Sequence, residues 1–140
     1  MKPTTYKQAM RPSEIAERVG EYLQQGDLEA IVSFFHPDCT LCFPVTEPPK
    51  KGLDAVRASF TPLVESRPRL ISRVTSELIN GDTALLQADW QLEAADGTVL
   101  DGGSSTEVAK QNADGSWVYY IDCPNGPPPL STSRATDPDR

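Results

Sequence analysis

The sequence predicts a single α+β domain in which three helices come first and pack on an antiparallel sheet that comes last. Three observations carry this. Apolar residues recur at helical spacing as far as about residue 66 and at alternate positions after about residue 70. Turn signals at Asn80-Gly81-Asp82, Ala95-Asp96-Gly97 and Ala113-Asp114-Gly115 cut the second half into four consecutive strands. Finally, 140 residues with 38% hydrophobic content suit one core and not two. Helices segregated from a strand meander cover one face of the sheet.

The first helix starts at Pro12, with Ser13 as N-cap and Glu14 in the first turn, and carries Ile15, Ala16, Val19, Tyr22 and Leu23 at helical spacing. Gly26 stops it. Asp27 caps a second helix that reaches Phe35, with Leu28, Ile31, Val32 and Phe35 on one face; His36-Pro37 ends it, because a residue before proline avoids the helical region. Thr40 to Val45 is rich in strand formers. Glu47 to Gly52 is a loop, and a third helix runs from Leu53 to Ser66 with Ala55, Val56, Ser59, Phe60, Leu63 and Val64 as its buried stripe and Pro62 as a kink. The strands of the meander are Leu70 to Ile79, Thr83 to Glu93, Ser104 to Gln111 and Trp117 to Cys123.

Charge narrows the partners. The balance of 13 − 20 = −7 repels phosphate backbones and anionic lipid, and no basic cluster longer than Lys50-Lys51 offsets it, so neither nucleic acid nor a membrane is expected. No apolar run approaches the roughly 20 residues that span a bilayer, and Met1 to Met10 has no signal-like core, so a cytoplasmic protein is expected. Cys39, Cys42 and Cys123 are an odd number and read as reduced thiols. Cys39 and Cys42 have zinc-like spacing, but His36 is the only other nearby ligand, so no metal is expected; on a strand the two thiols face opposite ways. From Pro124 onward the chain has five of its 13 prolines and none of its aromatics. The organisation is therefore an arm, residues 1–11, a domain, 12–126, and a flexible Pro-rich tail, 127–140.

Tyr22-Leu23-Gln24-Gln25-Gly26-Asp27-Leu28, followed by Phe34-Phe35-His36-Pro37-Asp38, by Gly52 before the third helix and by Asp114-Gly115-Ser116-Trp117 with Tyr120-Ile121-Asp122, resembles the nuclear transport factor 2-like superfamily. That group includes SnoaL-like cyclases and ketosteroid isomerases, and the likeness covers about residues 12 to 126. The resemblance implies a cone: a curved antiparallel sheet, mixed at its edge, wraps the long helix and encloses an apolar pocket.

Strand parity then allots the faces. Ala84, Leu86, Ala88, Trp90 and Leu92 should point into the cone. Matching the family's pattern adds Thr106 and Val108 from the next strand, and Val118, Tyr120 and Asp122 from the last. With the helical and loop aromatics, the expected lining is Tyr22, Phe35, Phe43, Phe60, Leu86, Ala88, Trp90, Thr106, Val108, Val118 and Tyr120. Trp117, Tyr119 and Ile121 fall on the opposite face and predict a homodimer through the outer sheet.

The three positions that carry isomerase chemistry in the resemblance fall on Val19, Phe43 and Thr106, none of which can act as a general base, so ketosteroid isomerisation is not expected. Asp122 is the one carboxylate that parity aims inward. It is either a proton donor or acceptor in an apolar pocket, or an acceptor that bonds the turn at Asn125-Gly126 or caps a helix terminus. His36 either caps its helix or faces solvent, or stands at the pocket mouth. With one histidine and no nucleophile beside a base, the sequence offers no hydrolytic triad. The expectation is a cone that binds a hydrophobic or aromatic small molecule, as a cofactor-free isomerase, cyclase or hydratase; the alternative is a non-catalytic binding or dimerisation module.

Overall fold

The computed structural model describes residues 6–130. A 3₁₀ turn, Pro12–Glu14, leads into helix α1 (Ile15–Gln25). Ser13 is not a side-chain cap: its amide donates to the Glu77 carboxylate at 2.9 Å, and Arg11 pairs with the same group, so a distant strand anchors the helix start. The helix stops at Gly26, whose left-handed φ of 68° returns its amide to the carbonyls of Leu23 and Tyr22. The Asp27 carboxylate accepts the Ala30 amide and starts α2 (Leu28–Val32).

The second helix is shorter than the spacing implied. Phe35, expected at its end, instead opens strand β1 (Phe35–Leu41), because Pro37 disfavours helix at His36 and cannot continue the ladder of helical bonds. The strand expected at Thr40 to Val45 therefore lies about five residues earlier. Strand β2 (Lys50–Lys51) is a two-residue edge on β1, and helix α3 (Leu53–Ser66) has the expected bounds, with Pro62 inside. Arg57 ties α3 to α2 through Glu29 at 2.9 Å.

The remaining strands, β3 (Arg69–Asn80), β4 (Thr83–Glu93), β5 (Val99–Gln111) and β6 (Trp117–Cys123), form the expected meander. Strand β5 starts five residues earlier than predicted. Its Gly102-Gly103, outside the predicted strand, is in the ladder, and the chain leaving β6 crosses there: a Cβ on Gly103 would stand 3.3 Å from the Pro124 carbonyl oxygen. The sheet order is β2-β1-β6-β5-β4-β3, with β1 parallel to β6 and every other pair antiparallel. The result is an α+β fold with helices on one face of a mixed sheet.

The core lies between that face and the helices. Ile15 and Leu23 of α1, Ile31, Phe34 and Val56 are fully buried there, and Ala84, Leu86 and Ala109 meet them from the sheet. Residues 6–10 also join: Ala9 is fully buried and its carbonyl accepts the Trp117 amide at 2.8 Å. Residues 1–5 and 131–140, which take in parts of the expected arm and tail, lie outside the described residues.

Two local irregularities set the faces of the sheet. Between Val108 and Ala109 the partner strand advances from Ile121 to Tyr119, so Tyr120 is an extra residue, a β-bulge. Strand β1 is out of step at the same place, between Phe35 and Thr40. The His36 and Tyr120 rings meet there edge to face, 5.1 Å between centroids.

The bulge corrects the expected dimer patch. Trp117 and Tyr119 are buried in the core, 4% and 6% exposed, and only Ile121 lies on the outer face. A different apolar row crosses that face: Leu78 pairs with Leu85, Leu85 with Val108, and Val108 with Ile121.

Candidate functional site

The wide end of the cone holds a cavity of about 380 Å³. Helix α1 contributes Val19 and Leu23, α3 contributes Phe60 and Leu63, β1 contributes Phe35 and Leu41, and Phe43 follows β1. The sheet supplies Leu70, Trp90 and Leu92 from one side and Ser105, Glu107, Tyr119 and Asp122 from the other. Exposed Pro62, Leu100 and Asp101 stand at the rim. Trp90 is held in place by its indole N–H, which donates to the Pro124 carbonyl at 2.7 Å.

Of the predicted lining, the structure brings together Phe35, Phe43, Phe60 and Trp90, with Asp122 among them. It does not bring in the rest. Leu86 and Ala88 do face inward, yet they lie in the filled part of the cone, where Leu86 is packed in the core. Tyr22 turns toward the N-terminal segment: its hydroxyl accepts the Lys7 amide and its ring meets Tyr6 and Phe34.

Thr106 and Val108 are on the outer face. Inward Leu86 pairs with Glu107 and inward Ala88 with Ser105, and cross-strand partners share a face, so the odd residues of β5 point in. Val118 and Tyr120 are likewise displaced, because the bulge lets Tyr119 and Asp122 both face the cone although they are three residues apart. His36 is not at the mouth; its Nδ1 accepts the Asp38 amide.

Sequence parity therefore missed Ser105, Glu107 and Tyr119. The pairing of Gln111 with Trp117 around the Asn112-to-Ser116 turn was the available signal, since it puts Ala109 and Tyr119 on one face.

Glu107 and Asp122 are the chemically distinctive pair. They are direct cross-strand partners, each 7% exposed, and both border the cavity. Desolvation pushes Glu107 up to about 7, against the pull of the Ser105 hydroxyl. Desolvation and then the Glu107 charge push Asp122 well above the usual carboxylate range. The Tyr119 hydroxyl is raised by burial and by the two acids. The turn at Asn125-Gly126 does not use Asp122: Gly126 donates to the Cys123 carbonyl and Asn125 reaches Gly102. Among the described residues no group donates a hydrogen bond to the Asp122 carboxyl.

The thiols do not line the cavity, although the two acids add to the rise of Cys123. Cys39 packs in the core, whereas Cys42 and Cys123 are neighbours on the other side of the sheet, where burial and then the Cys42 thiol push Cys123 up to about 12. Among the described residues no three His, Cys, Asp or Glu side chains gather as metal ligands.

A family model, the SnoaL-like domain, matches residues 16–120. The chain belongs to the SnoaL-like family. Solved structures agree on the fold. A Mycobacterium tuberculosis protein of unknown function is similar with TM-score 0.68 and 18% identity, over 79% of this chain and 70% of its own. A putative calcium/calmodulin-dependent protein kinase type II association domain from Thiobacillus denitrificans has TM-score 0.68 and 19% identity, over 90% of this chain and 98% of its own. An NTF-2 like protein of unknown function from Shewanella oneidensis has TM-score 0.64 and 18% identity, over 79% and 92%. No curated protein matches.

Within this SnoaL-like chain the positions matched to isomerase chemistry are apolar wall or outer surface: Val19 and Phe43 line the cavity and Thr106 does not. The acid next to Thr106, Glu107, occupies the inward place instead. No helix among the described residues is long and apolar enough to cross a membrane.

Proposed function

We propose that this SnoaL-like protein binds a hydrophobic small molecule in its cone and moves a proton on it with the Asp122–Glu107 pair, a cofactor-free chemistry of the isomerase, cyclase or hydratase kind. One observation carries the reading. Asp122 is more than nine-tenths buried on the cavity wall, pairs across the strands with a second acid and meets no donor to its carboxyl among the described residues. Two acids in an apolar wall cannot both ionise cheaply, so the pair keeps a proton at neutral pH. The protonated member can donate to a substrate oxygen while the other, poised near the working pH, removes a proton; such acid–base work is worth about 10²–10⁴-fold. Apolar walls keep bulk water from competing.

Deuterium exchange into the α-position of 2-tetralone, followed by NMR, tests this. The wild type should accelerate exchange and Asp122→Asn should lower the rate by about 10²-fold or more. No acceleration by the wild type would exclude the proton-transfer reading for enolisable ketones and favour a binding module.

The outer face supports a second reading, in which two copies pair. The Leu78–Leu85–Val108–Ile121 row includes Leu78 at 66% and Leu85 at 45% exposure, an apolar stripe of the kind that sheet-to-sheet contacts cover. Sedimentation should then give a dimer for the wild type and a monomer for Leu85→Glu. A monomeric wild type at micromolar concentration removes this reading.

A further inference from the structure

We propose that the preferred occupant of the cavity is a hydrophobic amine, its protonated nitrogen seated against Asp122 and Glu107 and its apolar body against the aromatic wall. The inference rests on the reading of the cone as a ligand site and narrows what enters it.

The charges of the lining point this way. Among the described residues its charged groups are the carboxyls of Asp101, Glu107 and Asp122, and no Lys, Arg or His joins them. Several carboxylates elsewhere meet a counter-charge within the protein: Arg18 reaches Glu17 and Glu21, and Arg57 reaches Glu29 and Asp54. The buried cavity acids Glu107 and Asp122 have none among the described residues. Asp122, 7% exposed, also lacks a hydrogen-bond donor among the described residues, which leaves its carboxyl open to a donor on a bound molecule.

The walls supply the second half of the argument. Five rings line the cavity, and three form a tilted group in which Phe35 lies 5.5 Å from Tyr119 and 5.9 Å from Phe60. Ring faces attract cations, more strongly where water is excluded. An anionic ligand would be repelled by both acids. A neutral one accepts a proton-mediated bond yet leaves the ionised member of the pair uncompensated. An ammonium offers three donors and a positive charge together, which meets the needs of both acids. The cavity volume of about 380 Å³ admits a two-ring compound with a short arm, and the net charge of −7 favours the approach of cations.

The test is calorimetric titration at pH 8 with three probes of one shape: 2-naphthylmethylamine, 2-naphthylmethanol and 2-naphthoate. The amine should bind about tenfold more tightly than the alcohol, and the naphthoate most weakly. In Asp122→Asn the ratio of amine to alcohol affinity should fall to about one; Glu107→Gln, which should lower the ratio in part, serves as the second variant where circular dichroism shows the first to be misfolded. An alcohol that binds as tightly as the amine overturns the inference and leaves the cone as a ligand site. An amine preference that survives both substitutions also overturns it. If neither the alcohol nor the amine binds, the ligand-site reading falls as well.

Discussion

Glu107→Gln should make this protein more stable, and only at neutral to alkaline pH. Glutamine is close in size to the protonated acid and, like it, both donates and accepts hydrogen bonds, but it cannot ionise. In the folded chain desolvation lifts Glu107 from the ordinary value of 4.5 to about 7, whereas the unfolded chain titrates near 4.3. The folded state therefore binds the proton more tightly, and the stability this group contributes is fully present below pH 4 to 5 and is lost as pH rises through about 7. At about 1.4 kcal/mol per pH unit the loss is about 3 kcal/mol. Urea unfolding of both proteins at pH 4.5 and pH 8 measures it. The two should agree within about 1 kcal/mol at the acid end, and the variant should exceed the wild type by about 3 kcal/mol at pH 8. The difference between the proteins is the quantity to read, because Asp114, held low by hydrogen bonds from Ser116, slopes the other way in both. A pH-independent difference, or a variant less stable at pH 8, would refute the assignment of Glu107 to an apolar wall.

Other substitutions probe the scaffold. Asp27→Ala removes the carboxylate that caps α2 and should cost about 1 kcal/mol in urea unfolding. Trp90→Phe deletes the donor to the Pro124 carbonyl and should cost about 1 kcal/mol, with faster amide exchange at Asn125 and Gly126. Ser59→Trp, on the cavity side of α3, should preserve the far-ultraviolet dichroism while weakening 2-naphthylmethanol binding more than tenfold by occupying the space it needs.

How far the site was legible depended on whether its signals were local. The α3 bounds at Leu53 and Ser66 and the β4 bounds at Thr83 and Glu93 followed from period and turns alone. Trp90 and Phe60 were found because α3 and β4 are regular, so one inward residue locates the others. Asp122 was found although the parity that found it was wrong: counting from Tyr120 reaches the correct face only because Tyr120 itself is out of phase. Glu107 was hidden by the opposite error, a one-residue slip in β5 that made Thr106 the inward residue. Helix α2 was overextended to Phe35 because its apolar spacing continues smoothly into β1, and spacing cannot show where tertiary pairing takes a chain over.

The extra residue at Tyr120 makes β6 tolerant of a change that strands seldom survive. In an unbulged strand of the same length Asp122 would swing to the outer face. Deleting Tyr120 would instead leave Tyr119, Ile121 and Asp122 on their present faces, at the loss of the ring contact with His36. Sequence length can thus drift by one residue here while the buried acids stay opposed, whereas a one-residue loss anywhere between Gly103 and Val108 would separate them from the rest of the cavity wall. Among related chains, length variation in the last strand is consistent with a retained acid pair, and length variation in the strand before it is not.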